Sequence, residues 1–467
     1  MPIPRDSRKP LLTAARFTFA LAALCSTNAT PAADPAGVPP KASMSWLDNG
    51  TLRLGIDLNR GGSIVFLSRN GGPNLINSHD FGRQVQMSFY SGPVPFTSNG
   101  QQPAKHWEHL GWNPVQTGDD FHNTSTILAH ENSGRALHVK TRPLQWPLNN
   151  IPGECTFESW LALDGCTVTA RARLVNARAD HQQYQGRHQE LPAVYSNAPW
   201  HRVVTYSGDQ PFTAAPVTSA PSPNRPAPWA YWLGTEGWSA LLNPDNSGLG
   251  LVTPGRIDFI GGFSGTPGPP DPLSASTGYL ASLSTEILDH NITFDYQYEL
   301  VAGSLDEIRA RAARHQPKHP PSWSFSNNRQ GWHLRNASDQ GWPVNGLLDI
   351  RPTGPNPQLV SPFSFWNAAA APLLIIEAAI SSSSGNADIS WQRHGQSAPA
   401  PEDHLSVPIK GDGSWQRYTI RLHEAPTWSG PIVRLHINPG ISPNSSDRLR
   451  IKSVRLTTSA DAPAPQR

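Results

Sequence analysis

The segment Cys166-Thr-Val-Thr-Ala-Arg-Ala-Arg-Leu174 alternates apolar or small residues with polar ones along most of its length. Successive side chains of an extended chain point to opposite sides, so this pattern predicts a strand with one buried face and one wet face. The same alternation runs through 52–58 and 292–300. Such strands form antiparallel sheets that pack face to face, and we therefore predict an all-β protein that begins with a large two-sheet sandwich.

The composition agrees with many short strands and disfavours other classes. The 467 residues include 47 prolines and 38 glycines, which suits strands joined by turns. The net charge of +2 and the charged fraction of 15% provide no basic field for nucleic acid. The 16 tryptophans can fill sheet cores or offer flat surfaces for sugar rings. We expect a soluble monomer of two or three domains rather than a helical bundle or a disordered chain.

The N-terminal 33 residues have the pattern of a signal peptide. Basic residues precede an apolar stretch at 17–24, which is too short for a permanent membrane span, and small residues follow at 28–33. The sequence thus predicts a secreted or periplasmic protein. Lipid anchoring through Cys25 is not expected, because Leu24 stands where a small residue is required.

Two domains are expected after this segment. The first, 34–316, ends in a helix for which Ser304 is a suitable N-cap and which the prolines from Pro317 onward stop. A linker, 317–322, leads to a second domain at 323–458, where Gly-Trp pairs punctuate short strands. The last residues, 459–467, are rich in alanine and proline and are expected to be loose.

Cys155 and Cys166 remain after removal of the signal peptide, and an oxidising compartment favours a disulfide. A two-residue hairpin turn at Asp164-Gly165 would instead place Cys166 opposite Leu163 and Cys155 opposite Leu174. A bridge then needs a longer loop or a bulge, so both outcomes stay open.

Common catalytic motifs are absent. The sequence has no phosphate-binding Gly-Lys-Ser/Thr loop, no dinucleotide fingerprint after a strand, no paired-His zinc helix and no Gly-x-Ser-x-Gly elbow. No cofactor or metal is therefore predicted, and any site must combine side chains that are scattered along a β scaffold.

The first of three polar clusters runs from Asn74 to Gln86. Asp80 can accept hydrogen bonds from sugar hydroxyls, and Arg83 offers a planar fork of donors for a carboxylate or for vicinal hydroxyls. The alternative is an Asp–Arg ion pair that orders a turn.

The second cluster is Lys105-His106-Trp107-Glu108-His109 and its continuation through Trp112 to Asp119-Asp120. Ordering so polar a loop costs entropy, which suggests a function, and paired aspartates can raise each other's pKa as acid–base catalysis requires. The alternative is a solvated surface loop.

The third cluster spans 187–202 and contains Glu190 just before an apolar stretch, with His201 close in sequence. A carboxyl group beside aromatic walls can have a raised pKa and act as a proton donor. The alternative is an ion pair between Glu190 and Arg187 or Arg202.

The opening Leu54-Gly-Ile-Asp-Leu-Asn-Arg-Gly-Gly-Ser-Ile64, followed by 74–77 and Gly82-Arg83, resembles the galactose-mutarotase-like β-supersandwich over about 34–303. That resemblance implies a sugar site with an Asn and an Arg, a His-rich acid motif and a late Glu base. The nearest features in this sequence are His106, His109, His201 and Glu286.

The second domain resembles the jelly-roll carbohydrate-binding modules appended to polysaccharide-degrading enzymes, through Gly331-Trp332, Trp366 and Asp412-Gly-Ser-Trp415. We therefore expect an exported glycoside hydrolase that acts on a polysaccharide or oligosaccharide. Glu190 would act with Asp119 or Asp120 as the carboxylate pair. The expected sugar-binding residues are Asp80, Arg83, His106, Trp107, Trp112 and His201, with the two tryptophans as stacking surfaces.

Three alternatives remain at this stage. A lyase acting on a uronic-acid polymer would use Arg83 and Lys105 on the substrate carboxylate, with His106, His201 or Tyr195 as the base. A glycan-binding protein without activity would use exposed tryptophans. A sugar epimerase of the mutarotase type is less favoured, because export and an appended module suit polymers better than free monosaccharides.

Overall fold

The computed structural model describes residues 43–219, 228–443 and 446–459. The predicted signal peptide and most of the predicted C-terminal tail lie outside the described residues. Within them the chain forms four antiparallel sheets and a single α-helix, which confirms the predicted all-β class. No helix in the described part of the chain is long and apolar enough to cross a membrane.

The first nineteen strands form two sheets. In chain order they are β1 (Met44–Asp48), β2 (Leu52–Asp57), β3 (Ser63–Arg69), β4 (Val85–Ser88), β5 (Pro114–Val115), β6 (Thr126–Asn132), β7 (Ala136–Arg142), β8 (Leu144–Gln145), β9 (Cys155–Asp164), β10 (Thr167–Asn176), β11 (Arg187–Ser196), β12 (Arg202–Thr205), β13 (Thr218–Ser219), β14 (Trp229–Leu233), β15 (Trp238–Leu242), β16 (Ser247–Val252), β17 (Asp258–Ser264), β18 (Thr277–Glu286) and β19 (Thr293–Ser304).

One sheet has ten strands, in the order β1-β2-β3-β4-β11-β18-β17-β14, with β5 and β8 attached beside β4. The other has nine, in the order β13-β12-β15-β16-β19-β10-β9-β7-β6. Alternate residues of β10, among them Val168 and Leu174, face a core shared with residues of the ten-stranded sheet such as Leu54 and Leu280. The two sheets thus form the first sandwich.

The β9–β10 hairpin differs from its predicted register. Asp164 pairs with Thr167, and Cys155 pairs with Asn176, so the turn consists of Gly165 and Cys166. Gly165 adopts a φ of 57°, which costs glycine little and allows the tight turn one residue later than expected. The predicted turn at Asp164-Gly165 was wrong, and both cysteines are free thiols.

The helix α1 (Leu305–Ala313) closes the first sandwich as the sequence predicts. Ser304 accepts a hydrogen bond from the Glu307 backbone N–H, and the Glu307 side chain accepts one from the Ser304 backbone, which forms a capping box. Ile308 and Ala312 are buried against the nine-stranded sheet. Short 3-10 helices lie at Leu58–Arg60, Glu108–Leu110, Ala368–Ala370 and Leu422–Glu424.

The remaining strands form a second, smaller sandwich around its own core. In chain order they are β20 (Ser322–Ser324), β21 (His333–Arg335), β22 (Ala337–Asp339), β23 (Leu348–Pro352), β24 (Gln358–Val360), β25 (Trp366–Asn367), β26 (Leu373–Ser381), β27 (Asn386–Arg393), β28 (His404–Pro408), β29 (Asp412–Arg421), β30 (Pro431–Asn438) and β31 (Arg448–Thr457). They form two six-stranded sheets, β22-β23-β31-β26-β29 with β20, and β21-β24-β30-β27-β28 with β25. That this sandwich is a jelly roll stays a prediction.

The ten-stranded sheet also buries residues on the face that points away from the core of the first sandwich. We call this the outer face. Its apolar members form a cluster separate from the core: Ala193, Tyr195, Trp229, Ile260, Tyr279, Ala281 and Leu283. A sheet face that solvent covered would be polar, so this second buried face indicates a site or an interface.

Candidate functional site

Glu190 lies near the middle of β11, on the outer face. It pairs with Ser88 of β4 on one side and with Leu283 of β18 on the other. The register is interrupted between Glu190 and Ala193, where Pro192 has no N–H to give to the ladder. Bulges of this kind change the direction of neighbouring side chains and are common beside active sites.

Two tyrosine hydroxyls hold the Glu190 carboxyl group. Tyr279 Oη donates to Oε1 at 2.5 Å, and Tyr90 Oη donates to Oε2 at 3.2 Å. Burial raises the pKa of Glu190, and the hydrogen bonds from the tyrosines oppose this increase. Burial also raises the pKa values of both tyrosines well above the usual range, so they remain protonated donors. Glu190 is therefore a half-buried carboxyl group with a fixed donor at each oxygen.

Aromatic rings surround this group. The ring of Tyr279 lies 4.8 Å from that of Tyr195 and 5.0 Å from that of Trp229. A cavity of about 30 Å³ adjoins Glu190, and among its lining residues are Leu110, His188 and Tyr231. That volume holds one water molecule.

A much larger cleft of about 1140 Å³ begins on the other side of Leu283, which lines both spaces. It lies between the two sandwiches. The first sandwich contributes Arg256, Asp258 and Glu286, and the second contributes Phe363 and Arg434. The small cavity at Glu190 and the cleft are thus neighbouring parts of one region.

Asp258 is a second carboxyl group on the outer face. It begins β17 and is 9% exposed. Burial raises its pKa to about 7, although the nearby positive charge of Arg434 acts in the opposite direction. Phe259 of β17 pairs with Ser282 of β18, so Asp258 lies beside Leu283 of β18. Glu190 of β11 pairs with Leu283 from the other side of that strand. Two strand spacings separate the Cα atoms of Glu190 and Asp258, a distance of about 10 Å.

The second sandwich presents one sheet face to this region. His333 and His436 both pair with Val360 there, and Arg434 lies two residues before His436 on β30. Arg434 Nε donates to the Ser361 carbonyl oxygen at 3.0 Å, and its guanidinium lies 3.6 Å from the centre of the Phe363 ring. These contacts fix the orientation of the guanidinium.

Three histidines near Arg434 are neutral at pH 7. Burial lowers the pKa of His188 to about 4 and that of His436 to about 3, and the charge of Arg434 lowers both further. Burial lowers the pKa of His333 well below its usual value. The buried atoms His333 Nδ1 and His436 Nε2 have no hydrogen-bond partner among the described residues.

Asp80 and Arg83 lie near the same face and form the ion pair considered as the alternative. Arg83 Nε is 3.1 Å from Asp80 Oδ2, and the Arg83 guanidinium also donates to the Ala275 carbonyl oxygen at 2.9 Å. The charges of both residues act on the hydroxyl of Tyr195, which places them at the Tyr195 end of the outer face.

Asp119 is fully buried and has structural contacts. Its carboxylate accepts hydrogen bonds from the backbone N–H groups of Phe121, Asn123 and Asn150 and from the Asn123 side chain. Asp120 is exposed and accepts from Trp107 Nε1 at 2.8 Å. None of these contacts links either aspartate to Glu190, and the pairing of Glu190 with Asp119 or Asp120 as catalytic carboxylates stays a prediction.

The predicted aromatic surfaces differ in accessibility. Trp112 is 0% exposed and has the guanidinium of Arg178 5.2 Å from its ring centre. The prediction that Trp112 stacks on a sugar was therefore wrong, because neither ring face reaches solvent. Trp107 is half-buried beside Trp146, and the exposed His106 lies 4.8 Å from Trp107, ring centre to ring centre.

The other predicted residues have separate environments. His201 Nδ1 is 3.1 Å from the Pro199 carbonyl oxygen, and its ring packs near Phe263 rather than against Glu190. Arg187 donates to backbone carbonyl oxygens, including that of Leu110 at 2.7 Å. The hydrogen bonds shown for Glu190 come from Tyr279 and Tyr90, and Arg202 donates instead to the Asn243 carbonyl oxygen at 3.1 Å. Lys105 is exposed.

Sequence reasoning missed Tyr90, Tyr279, Asp258 and Arg434. The alternation of Tyr279, Ala281 and Leu283 along β18 was a usable signal, because it marks one face of a strand whose opposite face is also apolar. No sequence signal places Arg434, which belongs to the other domain, beside Asp258. Among the described residues no group of three His, Cys, Asp or Glu side chains is arranged to hold a metal ion.

No family model matches the chain, and no curated protein matches it. One similar solved structure is a putative aldose 1-epimerase from Escherichia coli K12, with 15% identity and a TM-score of 0.35 over 56% of this chain and 99% of that one. Another is a galactose mutarotase related enzyme from Lactobacillus acidophilus, with 9% identity and a TM-score of 0.35 over 56% of this chain and 97% of that one.

A third is a 4-alpha-glucanotransferase from Thermococcus litoralis, with 11% identity and a TM-score of 0.31 over 56% of this chain and 37% of that one. Proteins of the galactose mutarotase type are thus among the solved structures that resemble this chain. The identities and TM-scores of these three structures are low.

Proposed function

We propose that this protein is an exported carbohydrate-active enzyme that hydrolyses a glycosidic bond at the outer face of its ten-stranded sheet. The observation that supports this most directly is the half-buried Glu190 carboxyl group, which two tyrosine hydroxyls hold at 2.5 Å and 3.2 Å within an aromatic wall. Sugar rings stack on such walls, and a buried carboxyl group is the usual proton-transfer group of glycosidases.

Glu190 is the general base in this proposal. Burial raises its pKa, the fixed donors on both oxygens oppose that rise, and the cavity of about 30 Å³ beside it has room for the attacking water. Glu190 accepts the proton of that water as the water oxygen bonds to the anomeric carbon. Asp258 is the general acid, since its pKa of about 7 keeps it protonated below neutral pH. It gives its proton to the departing glycosidic oxygen.

The separation of the two strands favours inversion. Inverting glycosidases place their carboxyl groups about 6.5–9.5 Å apart, with a water between the base and the sugar, whereas retaining enzymes place them about 5 Å apart. The Cα atoms of Glu190 and Asp258 are about 10 Å apart and both side chains project from the same face, a spacing that suits the wider arrangement better than the close one. Asp119 and Asp120 remain predicted alternatives to Asp258, although the contacts of Asp119 suit a structural carboxylate better.

The test is turnover of a panel of polysaccharides, measured as new reducing ends. Glu190→Gln and Asp258→Asn should each lower kcat by about 10²–10⁴-fold, the contribution of one acid–base group. Glu131→Gln is the matched control, because Glu131 is an exposed glutamate on β6 of the other sheet. Unchanged turnover in the Glu190 variant would exclude this mechanism.

The pH profile separates the two roles. Activity requires Glu190 ionised and Asp258 protonated, so kcat should fall above about pH 7 as Asp258 loses its proton. Asp258→Asn should remove this alkaline limb from the residual activity. A product with the ultraviolet absorbance of an unsaturated uronide would show β-elimination instead of hydrolysis. Binding to glycans without any product would show a binding protein.

A further inference from the structure

Two arginines line the cleft between the sandwiches without a carboxylate partner. Arg256 and Arg434 are both half-buried, and neither forms an ion pair within the described part of the chain. Asp258 and Glu286 affect them only at a distance. Arginines with this degree of burial usually pair with a carboxylate, because an uncompensated buried charge is costly.

Burial disfavours the charged form of both groups. Burial lowers the pKa of Arg434 to about 10 and also lowers the pKa of Arg256. A bound anion would stabilise both charges. The Arg434 fork is already oriented by Ser361 and Phe363, so little conformational entropy is lost when a ligand binds.

The acids that line the cleft form no ion pair with these two arginines within the described residues. Burial raises the pKa of Asp258 to about 7 and also raises that of Glu286, which accepts a hydrogen bond from Ser284 Oγ at 2.5 Å. Asp295, which also lines the cleft, is paired with Arg171 and Arg173 on β10. The cleft thus has positive charge available for a ligand.

We propose that this cleft binds an acidic residue of the glycan through the guanidinium groups of Arg256 and Arg434. A guanidinium fork matches the two oxygens of a uronate carboxylate or of a sulfate ester. The volume of about 1140 Å³ exceeds the roughly 300–1,000 Å³ of ordinary small-molecule pockets and suits several linked sugars. The inference rests on the proposed function, because it makes the substrate of the Glu190 site an anionic polymer.

The test is binding to the full chain, measured by calorimetry on the wild type and on Glu190→Gln, which should not consume the ligand. The probes are oligomers of galacturonate, of alginate and of hyaluronate, each beside its carboxyl-reduced form, and a sulfated galactan beside its desulfated form. At least one anionic probe should bind ten times more tightly than its neutral counterpart. The pair that shows the difference identifies carboxylate or sulfate.

Arg434→Gln and Arg256→Gln should each weaken the anionic probe at least tenfold, which is about 1.4 kcal/mol, and leave the neutral form unchanged. Arg421→Gln is the control with the same charge change at an exposed arginine, which pairs only with Glu424. Equal affinity for every charged and neutral pair, or an equal loss in Arg421→Gln, would overturn the inference.

The outcome is distinguishable from a failure of the proposed function. Selective binding that both cleft variants lose, with no new reducing ends, would support the anion site and reject hydrolysis. Cleavage of neutral glycans that depends on Glu190 but not on Arg256 or Arg434 would support hydrolysis and reject the anion site.

Discussion

The free energy of unfolding of Asp258→Asn should rise relative to that of the wild type as the pH increases from acidic to alkaline. Burial raises the pKa of Asp258 from 3.8 to about 7 in the folded protein. The folded state therefore binds this proton more tightly than the unfolded state. The wild type loses stability as pH rises from about 4 to about 7, and the full penalty remains above that range.

The size of the effect follows from the shift. Each pKa unit corresponds to about 1.4 kcal/mol, so the complete penalty is about 4 kcal/mol. Between pH 5 and pH 8 the part that develops is about 2.5 kcal/mol, because some of the penalty is already present at pH 5. Asparagine has nearly the same shape and does not titrate, so the variant lacks this component.

The assay is urea unfolding of the wild type and of the variant at pH 5 and pH 8. The difference in free energy of unfolding should change by about 2.5 kcal/mol in favour of the variant. Asp245→Asn, the same replacement at an exposed side chain, is the control. A difference that stays constant between the two pH values, or one that the control reproduces, would refute the argument that Asp258 is buried as a neutral acid.

Two further results are expected. Tyr279→Phe removes the 2.5 Å donor to Glu190, so kcat below neutral pH should fall about tenfold or more, and the acid limb of the pH profile should move to higher pH. Tyr184→Phe is the control, because it removes an equally short hydrogen bond to Asp180 and should leave the pH profile unchanged. Arg329→Met should lower the free energy of unfolding by about 3–5 kcal/mol, because it leaves Asp289 and Asp339 buried without their cation. Scanning calorimetry should then resolve two unfolding transitions. A single transition, or an equal loss of stability in Arg421→Met at an exposed arginine, would contradict this.

Much of the fold could be predicted from patterns of residues that are close in sequence. Alternation in 166–174 and 292–300 predicted two strands that are neighbours in the nine-stranded sheet. The cap at Ser304 predicted the only α-helix of the described residues. Both features depend on residues close in sequence, which is why they could be recognised. The hairpin turn was displaced by one residue, because either Asp164-Gly165 or Gly165-Cys166 can supply the glycine that a tight turn needs.

The candidate site was only partly predictable. Glu190 was recognised from its apolar neighbours, whereas its donors Tyr90 and Tyr279 are about a hundred residues away on either side. Polar density in the loop at 105–120 predicted function there, yet the polarity of Asp119 serves to order the loop backbone. A carboxylate that accepts hydrogen bonds from backbone N–H groups and one that takes part in catalysis cannot be distinguished from the sequence.

Buried ion pairs link the two sandwiches and hold the second sandwich in one position relative to the first. Arg329, in the second sandwich, bonds to Asp289 of the first at 2.6 Å and to Asp339 of its own at 2.7 Å, and all three side chains are nearly inaccessible. The three charges are placed so that Arg329 meets both carboxylates only when the two sandwiches lie in this arrangement. A domain whose function was independent of the first sandwich would need no fixed orientation, since a flexible linker would serve. Arg434 lines the same cleft as Asp258, so the Arg329 ion pairs help to hold the second sandwich in place as one wall of that cleft.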